Sequence, residues 1–179
     1  MSMFAAKSSS RYFLATLALS GCLLGSVPLL TWAGGNPGFT LFGGVDRKDI
    51  LDYYLDFGGH PNGKDRYKLY IPAKKLTQGA KKFFVSYPDY FNGKFDTDSV
   101  QVRVNGKSLP LKGVYWDKES RFVEVEMLEA VPANTKVDLV LSNVQNPDIG
   151  TYYFVCDVQA AGEIPVRLYI GTWIVSINR

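Results

Sequence analysis

The sequence is poor in the side chains on which much protein chemistry depends. Of its 179 residues one is histidine, His60, and two are cysteine, Cys22 and Cys156. A copper site with two imidazoles and a thiolate, or a zinc site built mainly on histidine, therefore has too few ligands. A Ser-His-acid triad needs only one imidazole, but no serine occupies a Gly-x-Ser-x-Gly turn. Glycine patterns that cradle phosphate are missing too, since neither Gly-x-Gly-x-x-Gly nor a P-loop occurs. His60 lies in Gly58-Gly59-His60-Pro61-Asn62-Gly63, where a solvated turn residue is expected. These absences predict a protein that is not an enzyme and has no cofactor and no catalytic residues.

A surplus of one charge is also lacking. Two of the basic groups, Lys7 and Arg11, precede an uncharged apolar stretch from Tyr12 to Leu30, which is the layout of a secretory signal. Small residues at Thr31 and Ala33 predict cleavage after Ala33, so that residues 1–33 form the signal. Leu19-Ser20-Gly21-Cys22 offers a second reading, a lipoprotein acylated at Cys22, although the residues after it stay apolar where a polar tether is usual. An uncleaved anchor is the third reading, since about 20 apolar residues can span a bilayer, and Pro28 weakens it. Either way the expected location is extracytoplasmic, with membrane proximity through the N-terminal segment.

Cleavage after Ala33 leaves 18 basic and 17 acidic groups, which gives no basic surplus for holding nucleic acid. It also leaves Cys156 without a partner for an intramolecular disulfide. In Tyr152-Tyr153-Phe154-Val155-Cys156-Asp157-Val158 the even positions are apolar, so Cys156 reads as a buried small hydrophobe.

What the chain does have is a period of two. Leu51, Tyr53, Leu55 and Phe57 alternate with more polar residues, and Tyr67, Leu69 and Ile71 do so after the glycine-rich turn, which predicts a hairpin of strands at 51–57 and 66–72. Further strands are expected at 81–87, 99–104, 111–116, 121–127, 136–144, 151–158 and 166–177. Short strands joined by turns such as Asn105-Gly106, with no convincing helix, predict an antiparallel β-sandwich of the immunoglobulin-like class. Residues 66–179 form the predicted sandwich and 34–65 an N-terminal extension containing a hairpin strand. Parity changes within the last strand, because Leu168 and Ile170 point inward on even numbers and Trp173, Val175 and Ile177 on odd ones. A β-bulge at Gly171-Thr172 accounts for that switch. Asn146-Pro147-Asp148-Ile149 has the residues of a type I turn and reads as a hairpin connection into strand 151–158.

Tyr87-Pro88, Phe91-x-Gly93, Val114-Tyr115-Trp116-Asp117, Val131-Pro132-Ala133-Asn134-Thr135, Val144-x-Asn146-Pro147 and Tyr169-Ile170-Gly171-Thr172-Trp173 follow one another in a recognisable order. From about Arg66 to its C-terminus the chain resembles a family of exported domains of unknown function found mainly in cyanobacteria. The resemblance implies an envelope or lumenal protein and supplies no catalytic residues. One departure is Asn134, where the family pattern usually has glycine; Asn tolerates the left-handed turn conformation next best.

Two groups of residues remain as candidate sites. Asp96 and Asp98, with Asp117 and Glu119 on another loop, are hard oxygen donors of the kind calcium prefers, but their spacing is that of ordinary turn carboxylates, and no metal site is expected. Phe83-Phe84-Val85-Ser86-Tyr87-Pro88-Asp89-Tyr90-Phe91-Asn92-Gly93-Lys94-Phe95 is the segment densest in aromatics. Phe83, Val85 and Tyr87 alternate as one strand face, whereas Tyr90 and Phe91 lie beyond Pro88 in a loop. Loop aromatics either stack on a sugar or anchor a protein partner, or they plug the open end of a sandwich. Tyr90 and Phe91 are the expected partner-binding residues, the partner being an unknown protein or glycan of the envelope. A non-enzymatic interaction or assembly module is the first functional reading and a carbohydrate-binding module the second.

Overall fold

A computed structural model describes residues 44–162 and 164–179. The expected signal, with Ala33 and Cys22, lies outside the described residues. Eleven strands are described: β1 (Ile50–Leu51), β2 (Tyr53–Leu55), β3 (Lys64–Ile71), β4 (Ala80–Ser86), β5 (Val100–Val104), β6 (Lys107–Leu109), β7 (Leu111–Asp117), β8 (Phe122–Val131), β9 (Val137–Gln145), β10 (Gly150–Gln159) and β11 (Arg167–Ile177). They form two sheets, one ordered β1-β11-β10-β4-β8-β7 and the other β2-β3-β9-β5-β6. The all-β sandwich read from the alternation is therefore what the chain builds. Every pairing is antiparallel except β1 with β11.

The inward sides of the two sheets share one apolar core, in which Tyr67, Leu69, Phe83, Met127, Leu139, Phe154 and Trp173 are fully buried. Trp173 uses its one polar atom on the facing sheet, its Nε1–H donating to the Tyr70 carbonyl at 3.2 Å. Cys156 is buried as expected, and burial, followed by the neighbouring Asp157 charge, pushes its thiol pKa well up.

The structure corrects the sequence reading in three places. The strand expected at 51–57 is two strands in different sheets, with β1 beside β11 and β2 beside β3. The changeover falls at Asp52, whose carbonyl accepts the Tyr70 N–H at 3.0 Å, so this short crossing closes one side of the sandwich. β1 and β2, within the segment 34–65, are edge strands of the two sheets. Secondly, the segment 146–149 does not close a hairpin, because β9 pairs with β3 and β5 whereas β10 pairs with β11 and β4. It is an arch between the sheets. Thirdly, β6 is a strand that the alternation did not reveal, joined to β5 by Asn105 and Gly106 with φ of 50° and 76°. Two positive φ values match the twist of a two-residue hairpin turn.

The parity switch in β11 is present one residue before its expected place. Cys156 lies opposite Gly171 and Asp157 opposite Tyr169, leaving Ile170 as the extra residue. Gly171 is required by proximity: a Cβ there would stand 2.6 Å from the Asp49 carbonyl oxygen and 2.7 Å from Leu51 Cγ. Asn134 has φ 56°, the left-handed conformation expected where the family pattern has glycine.

Candidate functional site

Strand directions gather four segments at one end of the sandwich: 56–63, 87–99, 118–121 and 146–149. The arch 146–149 is their common tie. Asn146 is buried; its Oδ1 accepts the Tyr67 hydroxyl at 2.7 Å and its Nδ2 donates to the His60 carbonyl at 2.8 Å. Burial, and next the Asp65 charge, push the Tyr67 phenol upward, so that it stays a neutral donor. Asp65, itself buried, accepts the backbone N–H groups of Phe57 at 2.9 Å and Gly59 at 2.8 Å. Asp148 then holds two loops from outside, accepting from Asn92 Nδ2 at 2.8 Å and from Asn62 Nδ2 at 3.3 Å. The residues of the expected type I turn are thus used for side-chain bonds between loops.

The loop 87–95 is anchored through its rings. Phe91 is 6% exposed, stacks on Phe95 with centroids 5.2 Å apart, and meets Phe154 edge-on at 5.2 Å. Gly93 makes this possible, since a Cβ there would stand 2.4 Å from Phe91 Cζ and 2.6 Å from the Gln145 carbonyl oxygen. The backbones of Lys94 and Gln145 exchange hydrogen bonds of 3.0 and 2.8 Å beside it. Tyr90 is 51% exposed, its hydroxyl donating to the Thr151 carbonyl at 3.3 Å and its ring lying 5.5 Å from that of Tyr152. The expected pair is therefore divided. Phe91 plugs the space between the sheets, which is open at a strand end and fills with the nearest large apolar ring, while Tyr90 alone remains at the surface.

The same loop borders an open cleft of about 310 Å³, lined by Tyr87, Phe91 and Trp116 together with Asp89, Lys94, Lys118 and Arg121. Trp116 is fixed by its Nε1–H, which donates to the Tyr87 hydroxyl at 2.8 Å, and by the Phe95 ring set edge-on at 5.4 Å. Lys118 Nζ rests over the Trp116 ring, 4.5 Å from its centroid. Sequence reasoning missed this cleft. Lys118 and Arg121 stand in a plain polar turn, and only the pairing of β8 with β4 carries that turn to the aromatic loop.

The other candidates are structural or isolated. Asp96 caps a short 3-10 turn, accepting from Ser99 Oγ at 2.8 Å, Asn143 Nδ2 at 3.0 Å and the Asp98 N–H at 3.2 Å. Asp117 accepts the Ser120 N–H at 2.8 Å. His60 is exposed. Among the described residues no group of three or more His, Cys, Asp or Glu side chains is placed to hold a metal ion.

Several solved structures are similar to the chain. A bacterial hydrophobin, BslA, is 17% identical, with a TM-score of 0.48 over 72% of this chain and 97% of that one. An uncharacterized protein from Nocardia farcinica with an immunoglobulin-like fold is 9% identical, with a TM-score of 0.45 over 73% and 99%. The collagen-binding domain of a Staphylococcus aureus adhesin is 8% identical, with a TM-score of 0.40 over 72% and 97%. No curated protein matches the chain. A family model does, over residues 39–177, a stretch that takes in the segment before Arg66 as well as the sandwich read from the sequence. The chain belongs to the family described as Protein of unknown function (DUF2808).

Proposed function

We propose that the protein is a non-enzymatic, extracytoplasmic interaction module that meets its partner with the end built from loops 87–99 and 118–121. The observation that carries this reading is the division of the two loop aromatics. Phe91 fixes the loop to the core, and Tyr90 and the cleft bordered by the same loop are thereby held in a set position. A preformed surface loses little conformational freedom on binding, which favours recognition. The rest of the molecule supports a role without catalysis, because the one histidine is exposed and the described thiol is buried with a raised pKa. The carbohydrate-binding reading is favoured by one further observation, the fixed Tyr87–Trp116 pair in the cleft wall.

The test compares tagged full chains recovered from the native host after mild cross-linking: the natural sequence, Tyr90→Ser, and Lys107→Glu at the start of β6 at the opposite end. Components that co-purify with the natural chain and with Lys107→Glu but are lost from Tyr90→Ser are the expected result. The same components on all three chains contradict the proposal.

A further inference from the structure

We propose that the cleft is a seat for an acidic saccharide, a uronic-acid oligomer whose ring lies against the Tyr87–Trp116 wall and whose carboxylate sits among Lys94, Lys118 and Arg121. This inference rests on the interaction reading above and names its ligand chemistry.

Charge is the first argument. The cleft brings three cationic side chains together with one carboxylate, Asp89. Elsewhere among the described residues Arg66, Lys68, Lys75, Lys82, Lys112 and Arg167 are each paired with an acidic side chain, while Lys64, Lys74, Lys81, Lys107 and Lys136, like the cleft cations, have no ion pair. Among the described residues Lys94, Lys118 and Arg121 have no ion pair. Uncompensated cations in a concave surface raise the local concentration of anions, and their N–H groups make strong charge-assisted bonds to a carboxylate.

The aromatic wall is the second. Trp116 is held in one orientation by Tyr87, and the Tyr87 hydroxyl, acting there as acceptor, keeps its own proton for another partner. Lys118 rests on the Trp116 ring, a weak contact at an exposed site. An arriving carboxylate draws Lys118 off at little cost and uncovers the ring for the apolar face of a sugar.

The lining also discriminates between ligands. It contains no aliphatic side chain to hold the side chains of a peptide, while Asp89 accepts hydrogen bonds and Lys94, Lys118 and Arg121 donate them. A ring with many hydroxyl groups and one negative charge uses all of these. The volume is at the small end of the roughly 300–1,000 Å³ of ligand sites, which suits one or two units of a longer chain.

The experiment titrates purified full chain with oligogalacturonate at low ionic strength, by calorimetry. Saturable binding that weakens with added salt is expected. It should fall at least about tenfold in Lys118→Gln/Arg121→Gln, and separately in Lys94→Gln, with unchanged melting temperatures. Lys94 lies on a different loop, so a folding defect in one variant leaves the other as a test. The inference is overturned by absence of saturable binding, by affinities of both variants equal to that of the natural chain, or by equally tight binding of a neutral oligosaccharide or of poly-glutamate. If oligogalacturonate does not bind while partner recovery still depends on Tyr90, the saccharide inference falls and the interaction reading stands.

Discussion

The Tyr67 hydroxyl donates to Asn146 Oδ1 across 2.7 Å, joining the centre of β3 to the arch between the sheets. Both residues are buried, so neither has water as an alternative partner. Asn146→Ala strands the Tyr67 hydroxyl and frees the His60 carbonyl, and is expected to cost about 1–3 kcal/mol. Tyr67→Phe/Asn146→Ala should cost less than the two single changes together. Urea unfolding of the four chains measures this, and strict additivity would contradict the pairing.

Trp173 is fully buried, with Val175 and Ile177 on its side of the bulge. Trp173→Ala is expected to cost about 3–5 kcal/mol, a large part of the roughly 5–15 kcal/mol that stabilises a domain. A melting temperature equal to that of the natural chain would show that the packing of β11 is wrong.

The two loop aromatics should behave differently on truncation. Phe91→Ala removes a ring packed on Phe95 and Phe154 and is expected to cost about 3–5 kcal/mol. Tyr90→Ser, at a half-exposed position, should cost at most about 1 kcal/mol. Thermal melts of the two variants check the contrast, and equal losses would remove the distinction between plug and surface.

Asp96 supplies a pH signature. Its hydrogen bonds from Asn143 and then Ser99 hold its carboxyl below the ordinary value of 3.8. The folded state therefore binds this proton less tightly than the unfolded one, and the stabilisation is complete above 3.8 and lost as pH falls through the lower folded-state value. Asp96→Ala should lower the melting temperature at neutral pH, with the difference narrowing below pH 3.8. A difference that stays constant into acid would contradict the sign.

Much of the fold was legible in the sequence because alternation reports directly on a two-sided sheet. Tyr67, Leu69 and Ile71 gave the inner face of β3, and the parity change around Gly171 gave a bulge within one residue of its position. Alternation is silent on which sheet a strand joins. The continuous pattern through Asp52 concealed a change of sheet, and the turn residues of 146–149 looked like a hairpin because an arch draws on the same Asn, Pro and Asp chemistry. The same limit hid the cleft. Phe91 could be read as a loop aromatic but not as a plug, since its burial depends on Phe154 arriving from β10. Lys118 and Arg121 meet Tyr87 only through the pairing of β7 with β8 and of β8 with β4.

Site-specific photo-cross-linking in intact cells reads out whether one end of the sandwich is the proposed contact surface. Benzoylphenylalanine placed at Tyr90, or at Lys107 beyond the Asn105-Gly106 turn at the opposite end, is irradiated in full chains produced by the native host. A discrete adduct from position 90 and none from position 107 is the predicted result. No adduct from position 90, or the same adduct from both positions, would contradict it.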